Sequence, residues 1–335
     1  MKNALLILLL TLGILLTNAL ADGSVLKTGQ IKSYDQDGND VTRCEIKDDG
    51  CYQAGVTRSY SDMGGMVKDN TTKLLWQDNA SNSSSWNDAI NYCKNIQFLY
   101  NNTFYENWRL PTVQELQTLV DYSQYSPPLT EGTFHISSDT DYWSSSVAVQ
   151  DNNKAWIVSF YSYGDILFLK KDITSTIRCV WGESLTHPKL SRNNETEIVT
   201  DKTTGLQWQD NVGIITVKRN WINAINYCES TLSLGGYHDW RLPNINEILS
   251  IVRYSQSDPA VDTFRFKYTA PSAALYYTYW SSTSSVSYSN QALGVNFNDG
   301  SLSSGYKETF NYYVRCVRGG HKDTFNPSTI MYLLN

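Results

Sequence analysis

The amino-acid sequence predicts an α+β protein made of two tandem copies of one domain. Two observations predict it: a long block recurs at nearly constant spacing, and within each block helix-like periodicity precedes a series of short strand-like runs. Asn107-Trp-Arg-Leu-Pro-Thr-Val-Gln-Glu-Leu116 returns as Asp239-Trp-Arg-Leu-Pro-Asn-Ile-Asn-Glu-Ile248, and Trp76-Gln-Asp-Asn79 returns as Trp208-Gln-Asp-Asn211. Asn91-Tyr-Cys93, Tyr142-Trp-Ser-Ser145 and Ile177-Arg-Cys-Val180 recur as Asn226-Tyr-Cys228, Tyr279-Trp-Ser-Ser282 and Val314-Arg-Cys-Val317. Self-similarity of this kind decides the fold before local structure does. Helices followed by strands, rather than alternating with them, argue for α+β over a doubly wound sheet.

Each copy opens on a hairpin. Met66-Val-Lys68, a polar turn and Leu74-Leu-Trp76 make the first, and Ile198-Val199, Asp201-Lys-Thr-Thr-Gly205 and Leu206-Gln-Trp208 the second, because apolar alternation around Asp, Asn and Gly is the hairpin signal. A first helix follows. Trp86, Ala89, Ile90, Cys93 and Ile96 fall at helical spacing behind the N-cap Ser85, mirrored by Trp221, Ala224, Ile225 and Cys228. The second helix starts after Leu-Pro. Thr112-x-x-Glu115 and Asn244-x-x-Glu247 have capping-box form, and the apolar faces are Val113, Leu116, Leu119, Val120 and Ile245, Ile248, Leu249, Val252. Strand-like segments then run through Tyr142–Val147, Ala155–Phe160, Ile166–Leu169 and Thr176–Trp181, and the second copy follows suit.

The expected layout is a signal peptide over 1–21, a lead over 22–57, copy 1 over 58–182, copy 2 over 190–319 and a tail over 320–335. Lys2, the apolar run Ala4–Leu16 and Ala19-Leu-Ala21 have the form of a cleavable secretory signal. That run is too short to span a bilayer, which takes about 20 residues, so a secreted, periplasmic or cell-surface location is expected with no membrane span after cleavage. A net charge of −6 argues against nucleic acid or a strongly anionic surface as the main partner, since both need a basic patch. Charged residues are only 18% of the chain while Tyr occurs 23 times, so hydroxyls, amides and aromatic faces are the expected means of interaction.

Six cysteines in an exported chain imply disulfides. The duplication places one on the first helix and one on the last strand of each copy, so Cys93–Cys179 and Cys228–Cys316 are the expected bridges, with Cys44–Cys51 as a local loop in the lead. The spacing has no zinc form, so no cofactor is expected, with calcium kept as the alternative. Asp35-x-Asp37-x-Asn39 resembles half a calcium loop, but position 12 of such a loop falls on Ile46 instead of a bidentate Glu. His135, His187, His238 and His321 match neither one another nor any ligand spacing.

A helix cysteine bridged to the final strand, two successive helices and a small antiparallel sheet resemble the C-type lectin-like fold. The motif set is more specific: Val67-x-Asp69 with Leu-x-Trp76, Trp86…Tyr92-Cys93, Trp108-Arg-Leu-Pro111…Glu115-Leu116, Tyr142-Trp-Ser-Ser145, Ala155-Trp156…Phe160 and Arg178-Cys179-Val180. This set, present twice over about 58–182 and 190–319, resembles the C-terminal domain family of the Legionella collagen-like adhesin, a bacterial family. The resemblance implies two disulfide-bonded, C-type lectin-like domains acting as an extracellular sugar-binding or adhesive module. The chain carries no Glu-Pro-Asn or Gln-Pro-Asp tripeptide of the calcium-dependent lectins, and Trp86-Asn-Asp88 spells a similar triplet at a helix start.

Six residues are the candidate ligand contacts. Trp143 and Trp280, with Tyr142 and Tyr279 beside them, offer stacking faces for sugars, the competing role being core. Arg109 and Arg241 offer anion or sugar contacts, the competing role being an ion pair with Glu115 and Glu247. Capping accounts for both glutamates, so no catalytic residue is assigned. The loops 122–141 and 254–278 differ between copies and are the expected contact surface. The expected function is a non-enzymatic binding module for a glycan or surface protein. A structural envelope or fimbria-associated component is the alternative, and an enzyme resembling formylglycine-generating enzymes, with a reactive cysteine pair, ranks third.

Overall fold

The computed structural model describes residues 25–320 except 127–128, 130–133, 135–139, 162 and 271–276. The expected signal peptide, nearly all of the tail, His135 and His321 lie outside the described residues. Six short helices occur among the described residues: α1 (Asp49–Tyr52), α2 (Trp86–Asn95), α3 (Val113–Thr118), α4 (Gly213–Thr216), α5 (Trp221–Asn226) and α6 (Ile245–Ser250). Ser85, Thr112, Asn220 and Asn244 cap α2, α3, α5 and α6, and capping boxes close on Glu115 and Glu247. A single π-helical turn, Tyr227–Thr231, extends α5. No helix among the described residues is long and apolar enough to cross a membrane.

The expected α+β, C-type lectin-like architecture does not form. Most of the regular structure is strand, gathered into four principal small sheets in a four-bladed, propeller-like arrangement, with two further strand pairs. Each copy contributes two sheets rather than one. In copy 1 the opening hairpin (Met66–Asp69, Leu75–Gln77) joins Tyr60–Asp62 and the last strand, Val180–Trp181. The long strands Asp141–Val147, Lys154–Ser159 and Asp165–Lys170 form the other sheet with Ser175–Ile177 and Ser81–Ser84. Copy 2 repeats the split: Leu190–Asn193, Ile198–Asp201, Leu206–Gln209 and Val317–Gly319 form one sheet, and a five-stranded sheet is centred on Thr278–Ser284. Capping and periodicity correctly locate where α2, α3, α5 and α6 begin and miss the one-turn α1 and α4, and the pairing of distant strands, on which the fold class depends, leaves no local pattern.

The three disulfides are Cys44–Cys51, Cys93–Cys179 and Cys228–Cys316, leaving no free cysteine. The two long ones close separations of 86 and 88 residues, each worth about 4–5 kcal/mol in the chain-entropy account. Eight tryptophans, among them Trp76, Trp108, Trp208 and Trp240, are fully buried. The core is continuous between copies: Tyr254 of copy 2 meets the Trp156 ring edge-on at 5.1 Å and accepts a hydrogen bond from Gln117 Nε2 at 2.5 Å.

The lead is folded onto copy 2. Thr28 and Thr283 hydroxyls both donate to Asp49 Oδ2, at 2.6 and 2.7 Å, and Gln30 exchanges two hydrogen bonds with the Ser284 backbone. Lys307 Nζ donates to the Tyr34 and Asp35 carbonyls at 3.2 and 3.1 Å. Gly38, at φ 89°, brings the lead against Ser289 and Asn290, where a Cβ would sit 2.5 Å from Asn290 N.

Candidate functional site

Five of the six expected contact residues are buried, and all six are bonded internally. Trp143 and Trp280 are wholly inaccessible, and their indole Nε1 groups donate to the Ser84 and Arg219 carbonyls at 2.9 and 2.8 Å. Tyr142 and Tyr279 are buried beside them; Tyr142 OH accepts from Arg178 Nη2 and Tyr279 OH from Ala270 N. Arg109 clamps Glu115 with two 2.7 Å bonds and Arg241 clamps Glu247 with two 2.6 Å bonds. Each glutamate also accepts the N-cap backbone N–H of its helix, from Thr112 and Asn244. The two clamps differ in access. Arg109 keeps 28% of its side-chain surface exposed, whereas Arg241 keeps 9% and lies under the Tyr52 ring.

The calcium-like stretch in the lead is closed on itself. Asp35 Oδ1 accepts from the Asp37 and Asn39 backbone, and Oδ2 accepts from Asn39 Nδ2. Among the described residues no group of three or more His, Cys, Asp or Glu side chains is placed to hold a metal ion.

A different constellation opens to solvent in copy 2. An open cleft of about 430 Å³ is lined by Pro188, Lys189, Leu190, Lys202, Arg253, Asp262 and Arg265. Its walls come from the edge strand Leu190–Asn193, the turn after Ile198–Asp201 and the segment following α6, which folds back through the Arg253 N to Ala260 O bond. One carboxylate organises the cations. Asp262 Oδ2 accepts from Arg253 at 3.1 Å and Arg265 at 3.4 Å, while Oδ1 accepts the Phe264 and Arg265 backbone N–H groups. Arg253 Nε is buried with no acceptor among the described residues. Lys189 and Lys202 are exposed at the rim. Partial burial and the Arg253 charge lower the pKa of the neighbouring His187 from its ordinary value.

Four cations around one carboxylate leave a positive surplus within a chain of net charge −6. Guanidinium forks suit planar or tetrahedral anions. Among the described residues copy 1 has no counterpart. Lys202 N donates to Lys189 O as Asn70 N donates to Ser59 O, which aligns Ser59 and Asn70 with the two lysines. Asp121, following Val120, stands where Arg253 follows Val252, and its carboxylate accepts from Ser123. Arg58, near the same corner of copy 1, donates to the Thr118, Lys27 and Val120 carbonyls.

Sequence reasoning missed Lys189, Lys202 and Arg253, although the charge reversal from Asp121 to Arg253 inside the repeat was a readable signal. Asp262 and Arg265 do lie in the variable loop 254–278.

A family model for the Lcl C-terminal domain matches residues 65–181 and 197–318. No curated protein matches the chain. With well over half its length covered, the chain belongs to the Lcl C-terminal domain family, whose adhesin association points to surface modules, and carries that domain twice.

Proposed function

We propose that this protein is an exported, non-enzymatic adhesion module that binds acidic carbohydrate through the cationic cleft of copy 2. The observation that carries the proposal is the cluster of Lys189, Lys202, Arg253 and Arg265 around a single carboxylate. Sugars bearing carboxylate or sulfate balance that positive surplus, and a shallow, open cleft suits one segment of a long polymer. The adhesin-associated family and the three disulfides fit a surface location. A formylglycine-type reaction has no support here, since all six cysteines are bridged and both Trp-Arg-Leu-Pro glutamates are committed to clamps and caps.

The test is a glycan array probed with the full chain and with Arg253→Ala/Arg265→Ala. Retention on acidic glycans, falling about tenfold or more in the variant and weakening with salt, is the expected result. Silence on acidic glycans, equal retention on neutral ones, or an unaffected variant would sink the proposal.

A further inference from the structure

The face of copy 2 that the lead covers has an uncovered twin on copy 1. Ile245 N donates to Thr283 Oγ1 at 3.0 Å as Val113 N donates to Ser146 Oγ at 3.1 Å. Trp221 N donates to the Lys307 carbonyl, and Trp86 N to the Lys171 carbonyl, both at 3.0 Å. The lysine ammonium lies over the tryptophan ring in each copy, at 4.1 Å for Lys307 on Trp221 and 4.2 Å for Lys171 on Trp86. Ser146, Val147 and Lys171 therefore occupy the positions of Thr283, Ser284 and Lys307. Gln114, the second residue of α3, stands where Asn246 of α6 donates to the Leu26 carbonyl.

Only the covering differs. The strand Thr278–Ser284 is buried throughout, whereas Asp141–Val147 leaves its last three residues half-exposed. Trp221 and Lys307 are fully buried, whereas Trp86 and Lys171 are half-buried. The lead meets the copy 2 face with a carboxylate on the strand hydroxyl, a glutamine amide on the backbone of the next residue and two successive carbonyls on the lysine. Copy 1 keeps the hydroxyl, the lysine and a side-chain amide in the same places, and no described residue accepts from Lys171 Nζ.

We infer that the open face of copy 1 docks a polypeptide segment of another chain with the chemistry of this lead: a carboxylate for Ser146, a side-chain amide for Val147 and adjacent backbone carbonyls for Lys171. The chain's own lead is committed to copy 2, so the occupant comes from outside. In the lead's own docking, side chains reach the hydroxyl and backbone at the end of a central strand, and they set the register.

The probe is a synthetic peptide of residues 25–57 with Cys44–Cys51 closed, titrated into the full chain. The readouts are saturation and the acetylation rate of Lys171. Saturation at one peptide per chain is expected, with Lys171 labelling slowed tenfold or more. Lys171→Met should weaken binding tenfold or more, as should Asp49→Ala in the peptide. Docking should persist in Arg253→Ala, which separates this face from the cationic cleft. Binding lost in Arg253→Ala but kept in Lys171→Met would place the acidic peptide in the cleft and overturn the inference. A full chain carrying a second lead on a Gly/Ser linker at its N-terminus raises the local concentration and keeps the test decisive if the free peptide is unstructured. Lys171 labelled at an unchanged rate in both formats would overturn it as well.

Discussion

Copy 1 and copy 2 share the Arg–Glu clamp, a disulfide from the α2 or π-extended α5 segment to the residue before the last strand, and three pairs of buried tryptophans, yet they meet the rest of the chain differently. Copy 2 carries the lead across the end of its long strand and opens a cationic cleft at another corner. Copy 1 leaves the strand end half-exposed and has Asp121 where the cleft has Arg253. Shared residues thus mark what one domain needs in order to fold, and unshared ones mark where the copies have taken on separate contacts. The same side chain also carries a different energetic weight in each copy, according to what covers it.

The largest expected contrast concerns the clamps. Glu247→Gln leaves Arg241 charged beneath Tyr52 with 9% side-chain exposure, and stripping one partner from a buried pair costs about 3–5 kcal/mol. Glu115→Gln leaves Arg109 at 28% exposure, where water compensates, so a loss of about 1–3 kcal/mol is expected. Both substitutions disturb the same cap, so the difference isolates the covering. Equal losses in urea unfolding would break the comparison.

The second contrast is in pH. Burial pushes the Asp49 carboxyl up from 3.8 to about 7, with the charges of Glu247 and Asp48 adding to the rise and the Thr28 and Thr283 hydroxyls opposing it. A folded pKa above the unfolded value favours the protonated folded state. Stability from this group is therefore complete below 3.8 and is lost as pH rises towards 7. Lys307, lowered by burial from 10.5 to about 7, acts above that window and in the opposite sense, its cost fading as pH rises towards 10.5. Asp49→Asn keeps an acceptor for both hydroxyls and should flatten the decline between about pH 4 and 7. Chemical unfolding across that range checks it; an unchanged slope would assign the decline to other groups.

The smallest contrast is a pair of tyrosines at matching positions. Tyr254 OH accepts from Gln117 and donates to the Gly300 carbonyl, so Tyr254→Phe should cost about 1–2 kcal/mol. Tyr122 OH is buried without a hydrogen-bond partner among the described residues. Tyr122→Phe should be close to neutral or slightly stabilising, since it removes an unsatisfied hydroxyl. Thermal melts of the two variants suffice, and a cost for Tyr122→Phe matching that of Tyr254→Phe would refute the asymmetry.

Much of the scaffold was legible before any coordinates. Ser85, Thr112 and Asn244 announce their helices because a cap is a local arrangement read within four residues. The repeat pairs Cys93 with Cys179 and Cys228 with Cys316 because only those positions recur. The site was less legible. Trp143 and Trp280 look like stacking platforms in sequence, but a tryptophan followed by serines reads the same on a surface as in a core. Lys189, Lys202, Arg253 and Arg265 are scattered over some 75 residues and converge only because one edge strand and one returning loop meet.

The sequence by itself determined the two copies, the helix starts, the disulfide partners and the capping glutamates, since each follows from spacing or from repetition. Tertiary structure alone decided that each copy splits into two small sheets, that the lead covers copy 2, and that a cationic cleft opens there. Those outcomes depend on strand pairing and burial between residues far apart in the chain, and no local pattern encodes which of two equivalent faces is covered.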